Sequence, residues 1–144
     1  MIKEPKNCSL LIDTEPLIKL FSKEQGWEKV QKILLQIENG DIEAAISVIT
    51  LTEIYNKYLH EKRVDLAEIR VKDLKHATYL KKISVDERIA IKAGEFKGKY
   101  SIPIADALIS ATAFYNNAVI ISDDPDFKKV TEVQVKDEED FFDA

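Results

Sequence analysis

The chain has 144 residues, of which 45% are hydrophobic and 33% are charged, with four glycines and four prolines. This size and composition are typical of one globular domain, so we expect a single domain over residues 1–144 without linkers. The net charge of −5 argues against coating nucleic acid by bulk electrostatics, and no stretch reaches the roughly 20 apolar residues of a membrane span.

The first part of the chain predicts a strand, two helices and a second strand. Residues 9–12 form an almost wholly apolar run that ends at Asp13, which predicts a buried strand followed by a helix. Ser22 and Gln25 have capping-box spacing and predict the start of a second helix. Residues 44–48 are mostly small and β-branched and predict the second strand.

The middle of the chain continues this alternation. Thr50 is predicted to start a helix, and the next helix is predicted over residues 65–80. A short third strand is predicted over residues 83–85. Ser84 and Glu87 again have capping-box spacing, which predicts that another helix begins at once.

The last third contains the most regular patterns. Pro103 opens a helix rich in alanine and serine, small residues that permit close packing against a sheet. Residues 118–122 predict a buried strand and residues 132–135 a last one. Strands that alternate with helices form right-handed βαβ units, so we expect an α/β fold: a three-layer α/β/α sandwich around a mainly parallel sheet of about five strands.

Four acids lie where the predicted strands end or where a helix begins beside them. Asp13 directly follows the first strand, Glu53 comes shortly after the second, and Asp124 follows the strand over residues 118–122. Asp106 lies in the first turn of the small-residue helix. Because open parallel sheets bind ligands outside the carboxyl ends of their strands, we expect these carboxylates to converge.

Each of the four acids also has an ordinary structural explanation. Glu53 has capping-box spacing from Thr50, Asp13 and Asp124 could be N-caps, and Asp106 could complement a helix dipole. If they converge, however, two carboxylates about 6 Å apart repel by roughly 3 kcal/mol at an effective dielectric constant of about 20. Mg²⁺ or Mn²⁺ is the expected neutralising cation, because hard cations take oxygen ligands.

Signals for other chemistry are missing from the sequence. There is no GxxxxGK loop and no GxSxG elbow, which excludes the commonest P-loop and serine-hydrolase chemistries. His60 and His76 lack metal-ligand spacing and are assigned to helix surfaces. Cys8 is the single cysteine and is predicted to lie beside a buried strand; with no apolar leader before it, we expect a soluble, cytoplasmic protein.

The charged residues are unevenly distributed. Basic residues cluster between Lys57 and Lys99, and acids crowd from Asp123 to Asp143. A basic face and an acidic pole could coexist on one domain, although solvated helix faces of mixed charge remain the simpler explanation for any single lysine.

Four segments carry a resemblance to a known family: LIDT at residues 11–14, SVITLTE at 47–53, IADALISATA at 104–113 and IISDDPDF at 120–127. They resemble the PIN-domain family, which includes the toxin nucleases of VapBC-type toxin–antitoxin pairs, over nearly the whole chain. By this resemblance the four acids named above, Asp13, Glu53, Asp106 and Asp124, fall on the family's acidic quartet.

Four further residues bear on the same resemblance. Asp126 matches an acid often found two places after the last of the quartet, and Ser122 matches a hydroxyl residue that orients a carboxylate or water. Glu15 and Asp123 depart from the family, which usually has Ser or Asn at the first position and Asn or Arg at the second. Both add negative charge beside the expected metal and leave open whether Asp123 or Asp124 is the ligand.

The resemblance implies an endoribonuclease that depends on Mg²⁺ or Mn²⁺. In this scheme Asp13 and Asp106 hold the main ion, Asp124 completes its shell or that of a second ion, and Glu53 orients the attacking water or the second ion. The resemblance further implies a homodimer, an antitoxin protein as inhibitor, and single-stranded RNA held by the basic residues together with Tyr58 and Tyr100.

Three alternatives remain open at this point. The chain could be an RNA-processing PIN nuclease, or a PIN-like module that binds RNA or protein without cleavage. It could also be a phospho-receiver or phosphatase-like α/β domain with Asp13 as the acceptor, although Thr14 and Glu15 fit such a domain poorly.

Overall fold

The computed structural model describes residues 9–142, so the prediction for Cys8 lies outside the described residues. A parallel five-stranded sheet runs through this part of the chain, in the spatial order β3-β2-β1-β4-β5. Its strands are β1 (Leu10–Ile12), β2 (Ala44–Ser47), β3 (Leu80–Ile83), β4 (Val119–Ile121) and β5 (Gln134–Lys136). The predicted α/β class with a parallel sheet is confirmed.

Helices cover both faces of this sheet. In chain order they are α1 (Thr14–Ser22), α2 (Trp27–Glu38), α3 (Val48–His60), α4 (Val64–His76), α5 (Glu87–Tyr100), α6 (Ile104–Asn116), a 3₁₀ helix (Pro125–Lys129) and α7 (Glu138–Phe142). None of the helices in the described range has the length and apolarity that crossing a membrane requires.

The side chains of β1 show how the layers are built. Leu10 and Ile12 pack into one apolar cluster with residues of α1 to α4, whereas Leu11 packs into another with Ile109 of α6. This alternation follows from the two-residue period of a strand, and it places helices α1 to α4 on one face and α6 on the other.

The second face is formed by two packed helices. Ala107 and Ala111 of α6 are fully buried in a cluster with Ala93 and Phe96 of α5. Small side chains let the two helices approach closely, whereas the composition of residues 104–113 predicted close packing against the sheet. As a result α6, which starts at the carboxyl edge of the sheet, is held firmly in place.

The predicted third strand and the helix before it were misplaced. The helix predicted over residues 65–80 ends at His76, and β3 begins at Leu80 rather than at residue 83. Leu80 pairs with Ala44 of β2 in the sheet and is buried, so pairing with β2 decides its conformation. Two lysines follow Leu80 and interrupt the apolar pattern by which a strand is predicted from sequence. This edge strand was therefore not predicted at Leu80. The last strand also begins two residues later than predicted and ends one residue later.

Two predicted capping boxes do not start a helix. Ser22 is the last residue of α1, and α2 begins after Gly26, whose φ of 95° is the left-handed conformation that glycine adopts without strain. Before α5 the N-cap is Asp86, not Ser84; the carboxylate of Asp86 accepts a hydrogen bond of 2.9 Å from the backbone N–H of Ile89. The capping position is therefore taken by a nearby polar residue at α5 and by a glycine at α2.

Candidate functional site

An open cleft of about 300 Å³ lies at the carboxyl edge of the sheet, and it is lined by Asp13, Glu53, Asp106 and Asp124. Asp13 follows β1, and Asp124 follows β4 after Ser122 and Asp123. Because β1 and β4 are parallel neighbours, with Ile12 paired to Ile121, the residues after them emerge side by side. The structure brings the four predicted carboxylates together.

Asp13 is buried, with 5% of its surface exposed. It occupies the N-cap position of α1, but its side chain makes no capping hydrogen bond. Instead, Asp13 Oδ2 accepts a hydrogen bond of 2.8 Å from Ser122 Oγ. An ordinary helix cap therefore does not account for this acid.

Ser122 connects two sides of the cleft. The residue is fully buried. Its hydroxyl donates to the Asp13 carboxylate and accepts a hydrogen bond of 3.0 Å from the backbone N–H of Asp124. One side chain thus fixes both the rotamer of Asp13 and the position of the turn that carries Asp124.

Glu53 is not part of a capping box with Thr50. Helix α3 starts at Val48, two residues before Thr50, and its N-cap is Ser47, so Thr50 lies inside the helix. Glu53 Oε1 accepts a hydrogen bond of 2.6 Å from Thr14 Oγ1, which also lies 3.1 Å from Thr50 Oγ1. The buried Thr14, itself in contact with the buried Thr50, therefore holds the Glu53 carboxylate at the cleft.

The closest carboxylate group consists of Asp106, Asp124 and Asp126, whose carboxylate oxygens lie within 4.8 Å of one another. Asp124 Oδ1 also accepts a hydrogen bond of 2.9 Å from the backbone N–H of Asp126, so Asp124 does cap the 3₁₀ helix. Asp126 Oδ1 lies 2.9 Å from Lys129 Nζ. The sequence predicted Asp126 only as an auxiliary residue, whereas the structure places it in this group.

The two departures from the family lie at the margin of the site. Asp123 is exposed, and its Oδ2 accepts a hydrogen bond of 2.6 Å from Lys19 Nζ. Glu15 lines the cleft, and burial raises its pKa. Of the two adjacent aspartates, Asp124 is the one at the wall of the cleft.

The electrostatics of the site disfavour full ionisation without a cation. Burial, together with the charges of Glu53 and Asp124, raises the pKa of Asp13 to about 7 despite the hydrogen bond from Ser122. Burial and the charges of Asp124, Asp13 and Asp126 likewise raise the pKa of Asp106 to about 7. These shifts arise when carboxylates crowd together out of water.

The donor set fits a hard divalent cation. The residues that line the cleft offer carboxylate and hydroxyl oxygens, and none of the described ones is His or Cys. Oxygen ligands from several carboxylates suit Mg²⁺ or Mn²⁺, which would also remove the repulsion that raises both aspartate pKa values.

Comparison with known families identifies the domain. A family model described as the PIN domain matches residues 10–133, which is most of the chain. The chain belongs to the PIN-domain family. A comparison with curated proteins finds no significant match.

Solved structures with the same fold include components of toxin–antitoxin complexes. VapBC2 from Rickettsia felis, bound to a DNA fragment from its promoter, matches with a TM-score of 0.74 at 17% identity, over 90% of this chain and 98% of that one. VapBC-1 from Haemophilus influenzae matches with a TM-score of 0.71 at 19% identity, over 91% and 98%. A toxin–antitoxin complex from Klebsiella pneumoniae matches with a TM-score of 0.63 at 24% identity, over 86% and 94%.

The strand order of this PIN domain argues against one of the alternatives. Phospho-receiver domains have the order β2-β1-β3-β4-β5, with their acceptor site at the resulting switch point. The observed order is β3-β2-β1-β4-β5. Asp13 therefore does not lie in the topology that the receiver hypothesis required.

The basic residues between Lys57 and Lys99 do not form one face. They are distributed from α3 through α4 and β3 to α5, and α4 and α5 cover opposite faces of the sheet. Several are paired with acids, including Lys92 with Glu95 and Lys99 with Glu132. Among the described residues of the cleft wall, Lys57 is the one cation.

Several residues that shape this PIN domain's cleft were not predicted as site residues: Thr14, Thr50, Asn56 and Lys19. Thr14 directly follows Asp13, and Asn56 lies three residues, or about one helical turn, after Glu53. Proximity to a predicted acid could therefore have identified both residues. Lys19 lies four residues after Glu15 on α1, but its partner Asp123 is 104 residues away. No local pattern reveals a contact at that separation.

Proposed function

We propose that this PIN domain is an endoribonuclease that requires Mg²⁺ or Mn²⁺ and acts as the toxin of a toxin–antitoxin pair. PIN domains are generally nucleases, and this chain has the acidic cluster that such a nuclease needs. The observation that carries the proposal is the approach of Asp106, Asp124 and Asp126 carboxylate oxygens to within 4.8 Å, in a cleft that Asp13 and Glu53 also line.

Asp13, Asp106 and Asp124 would hold the cation, with Asp126 beside them. A divalent cation there supplies a water of lowered pKa and offsets negative charge on the scissile phosphate. Ser122 contributes by fixing both Asp13 and the Asp124 turn before the substrate arrives, so that little reorganisation accompanies the reaction.

Glu53 has a separate role in the proposed reaction. The hydrogen bond from Thr14 holds Oε1, and the other oxygen, Oε2, orients the attacking water and accepts its proton. Thr14, the first residue of α1, thereby fixes the position of the Glu53 carboxylate. In-line attack on a phosphodiester then depends on positioning, to which this pair contributes.

Lys57 is the proposed contact for an RNA phosphate. Its Nζ pairs with Glu61 Oε2 at 2.8 Å, and the lysine side chain is 31% exposed. An ion pair this exposed is weak, so Lys57 can exchange Glu61 for a phosphate next to the scissile bond. A cation is needed at this wall because the acids opposite would otherwise repel the RNA backbone.

The proposed partners and location follow from the relatives. VapBC and toxin–antitoxin complexes among the matching structures support an antitoxin protein as partner, and with it a cytoplasmic location. A homodimer is supported by α5, where Ile91 is 69% exposed beside the exposed Ala90, Gly94 and Gly98. Small residues on an exposed helix face allow a second helix to approach closely.

The test is cleavage of end-labelled single-stranded RNA by the purified protein with Mn²⁺, with Mg²⁺ and with EDTA. The variants are D13N and D106N, and the matched control is D73N, which removes an exposed acid of α4 paired with Arg70. We expect cleavage only with metal, and a loss of roughly 100-fold or more in D13N and D106N but not in D73N. Cleavage that persists in EDTA or in both site variants would contradict the proposal.

A further inference from the structure

Lys19 joins three separate parts of the chain beside the cleft. Its Nζ donates a hydrogen bond of 2.6 Å to Asp123 Oδ2, in the turn after β4, and another of 2.6 Å to Glu138 Oε2, in α7. The side chain of Lys19 is 13% exposed and that of Glu138 is 6% exposed. In this group of Lys19, Asp123 and Glu138, here named the Lys19 triad, Lys19 and Glu138 are therefore largely shielded from water, whereas Asp123 is exposed.

Glu138 is confined by its surroundings. A Cβ placed on Gly26 would lie 2.5 Å from Glu138 Oε2, so the loop between α1 and α2 closes directly onto this carboxylate. Glu138 Oε1 has no hydrogen-bond partner among the described residues. Lys19 is thus the group that balances a buried charge, and the position of its ammonium group is set by α7.

The ammonium group of Lys19 also holds Asp123 at the margin of the cleft. Lys19 lies one helical turn beyond Glu15, which lines the cleft, so the ion pair draws Asp123 toward α1. On the other side of the turn, the backbone N–H of Asp124 donates to Ser122 Oγ. The turn between β4 and the 3₁₀ helix is therefore fixed at both of its aspartates.

We propose that Lys19 is a positioning residue for the metal site. By binding Asp123 against α1 and α7, it withholds that carboxylate from the cleft and fixes the turn so that Asp124 faces Asp106 and Asp126. A carboxylate that is paired with an ammonium group is a poor metal ligand, because its charge is already balanced. The inference rests on the proposed metal dependence and extends it by giving α7 a part in assembling the site.

The test separates positioning from stability. K19M alone would leave Glu138 as an unpaired buried charge, so the informative comparison is K19M/E138Q against E138Q. Both proteins lack the Glu138 charge, so they differ in the Lys19 ammonium group that anchors Asp123. K29M is the matched control, since Lys29 of α2 pairs at 2.7 Å with Glu139, which lies in α7 like Glu138, and this ion pair is exposed.

Two measurements are made on each protein. The first is the Mn²⁺ midpoint, which is the dissociation constant fitted to the rise in melting temperature with Mn²⁺ concentration. The second is hydrogen exchange at the backbone amides of Asp124 and Asp126 in metal-free protein. We expect K19M/E138Q to need about tenfold more Mn²⁺ and to exchange these amides about tenfold faster than E138Q, while K29M behaves like the unsubstituted protein.

A lower melting temperature in K19M/E138Q with unchanged Mn²⁺ midpoint and unchanged amide exchange would overturn the proposal, because the triad would then only stabilise the fold. Failure of the proposed function has a different signature. If Mn²⁺ shifts the melting of no protein, including the unsubstituted one, the metal dependence is wrong, and the amide exchange alone decides whether Lys19 fixes the turn.

Discussion

Ser122 Oγ lies 2.8 Å from Asp13 Oδ2, which joins the residue that follows β4 to the acid that follows β1. The two residues are 109 positions apart in the chain, and the bond is buried. It forms because β1 and β4 are parallel neighbours, so that the fold itself delivers the hydroxyl to the carboxylate. This hydrogen bond therefore joins two sides of the cleft, and its removal should affect metal binding.

Replacing Ser122 by alanine should weaken metal binding. S122A removes a hydrogen bond that lowers the pKa of Asp13 and frees the amide of Asp124. We expect the Mn²⁺ midpoint, measured by calorimetry, to rise about 10- to 100-fold. The control is S110A, because Ser110 Oγ is buried without a partner among the described residues and its loss removes no bond. Equal midpoints in the two variants would disprove this role of Ser122.

The stability of the metal-free protein should depend on pH in an unusual direction. The pKa values of Asp13 and Asp106 are about 7 in the folded protein, against 3.8 ordinarily. Between these values the folded state binds more protons than the unfolded one, so the free energy of unfolding falls as pH rises from about 4 to 7. Melting temperatures measured from pH 5 to 8 in EDTA should therefore decrease, and Mn²⁺ should restore them at pH 8.

The same reasoning predicts a stabilised variant. D106N removes one of the repelling carboxylates, so at pH 7.5 in EDTA we expect a gain of ~1 kcal/mol, or about 4 °C in melting temperature. The slope of melting temperature against pH should also flatten. A D106N protein that melts below the unsubstituted one, with an unchanged slope, would show that charge repulsion is not concentrated at this residue.

Thr14 should affect turnover more than metal binding. T14V removes the hydroxyl that donates to Glu53 Oε1 at 2.6 Å but keeps a β-branched side chain of similar size. We expect kcat for RNA cleavage to fall about tenfold, with the Mn²⁺ midpoint nearly unchanged, because Glu53 is the one acid of the site to which the Thr14 hydroxyl donates. T14S should restore kcat. A rise in the Mn²⁺ midpoint with constant kcat would reassign Glu53 to metal binding.

Lys57 should act through substrate affinity. K57M removes the described cation of the cleft wall, so KM for RNA should rise and the salt dependence of log KM should lose about one unit of slope. K75M, on an exposed face of α4, is the control. If K57M and K75M show the same KM and the same salt slope, then Lys57 does not contact a phosphate.

The sequence was sufficient where acids follow buried strands. The apolar runs that end at Asp13 and before Asp124 specify strands by themselves, and the parallel sheet then brings these acids to one edge. Local sequence patterns failed where strand pairing determines the conformation. The edge strand β3 contains two lysines, and its pairing with β2 is what identifies it as a strand. The Lys19 triad was equally hidden, because Lys19 and Glu138 are 119 residues apart.

The most direct test of the account is anomalous diffraction from a crystal of the protein soaked in Mn²⁺. The account predicts a peak in the cleft at about 2.2 Å from carboxylate oxygens of Asp106 and Asp124, and its absence in a D106N crystal treated in the same way. No peak in the cleft, or a peak bound only by Asp123 and other residues outside it, would contradict the assignment of this site.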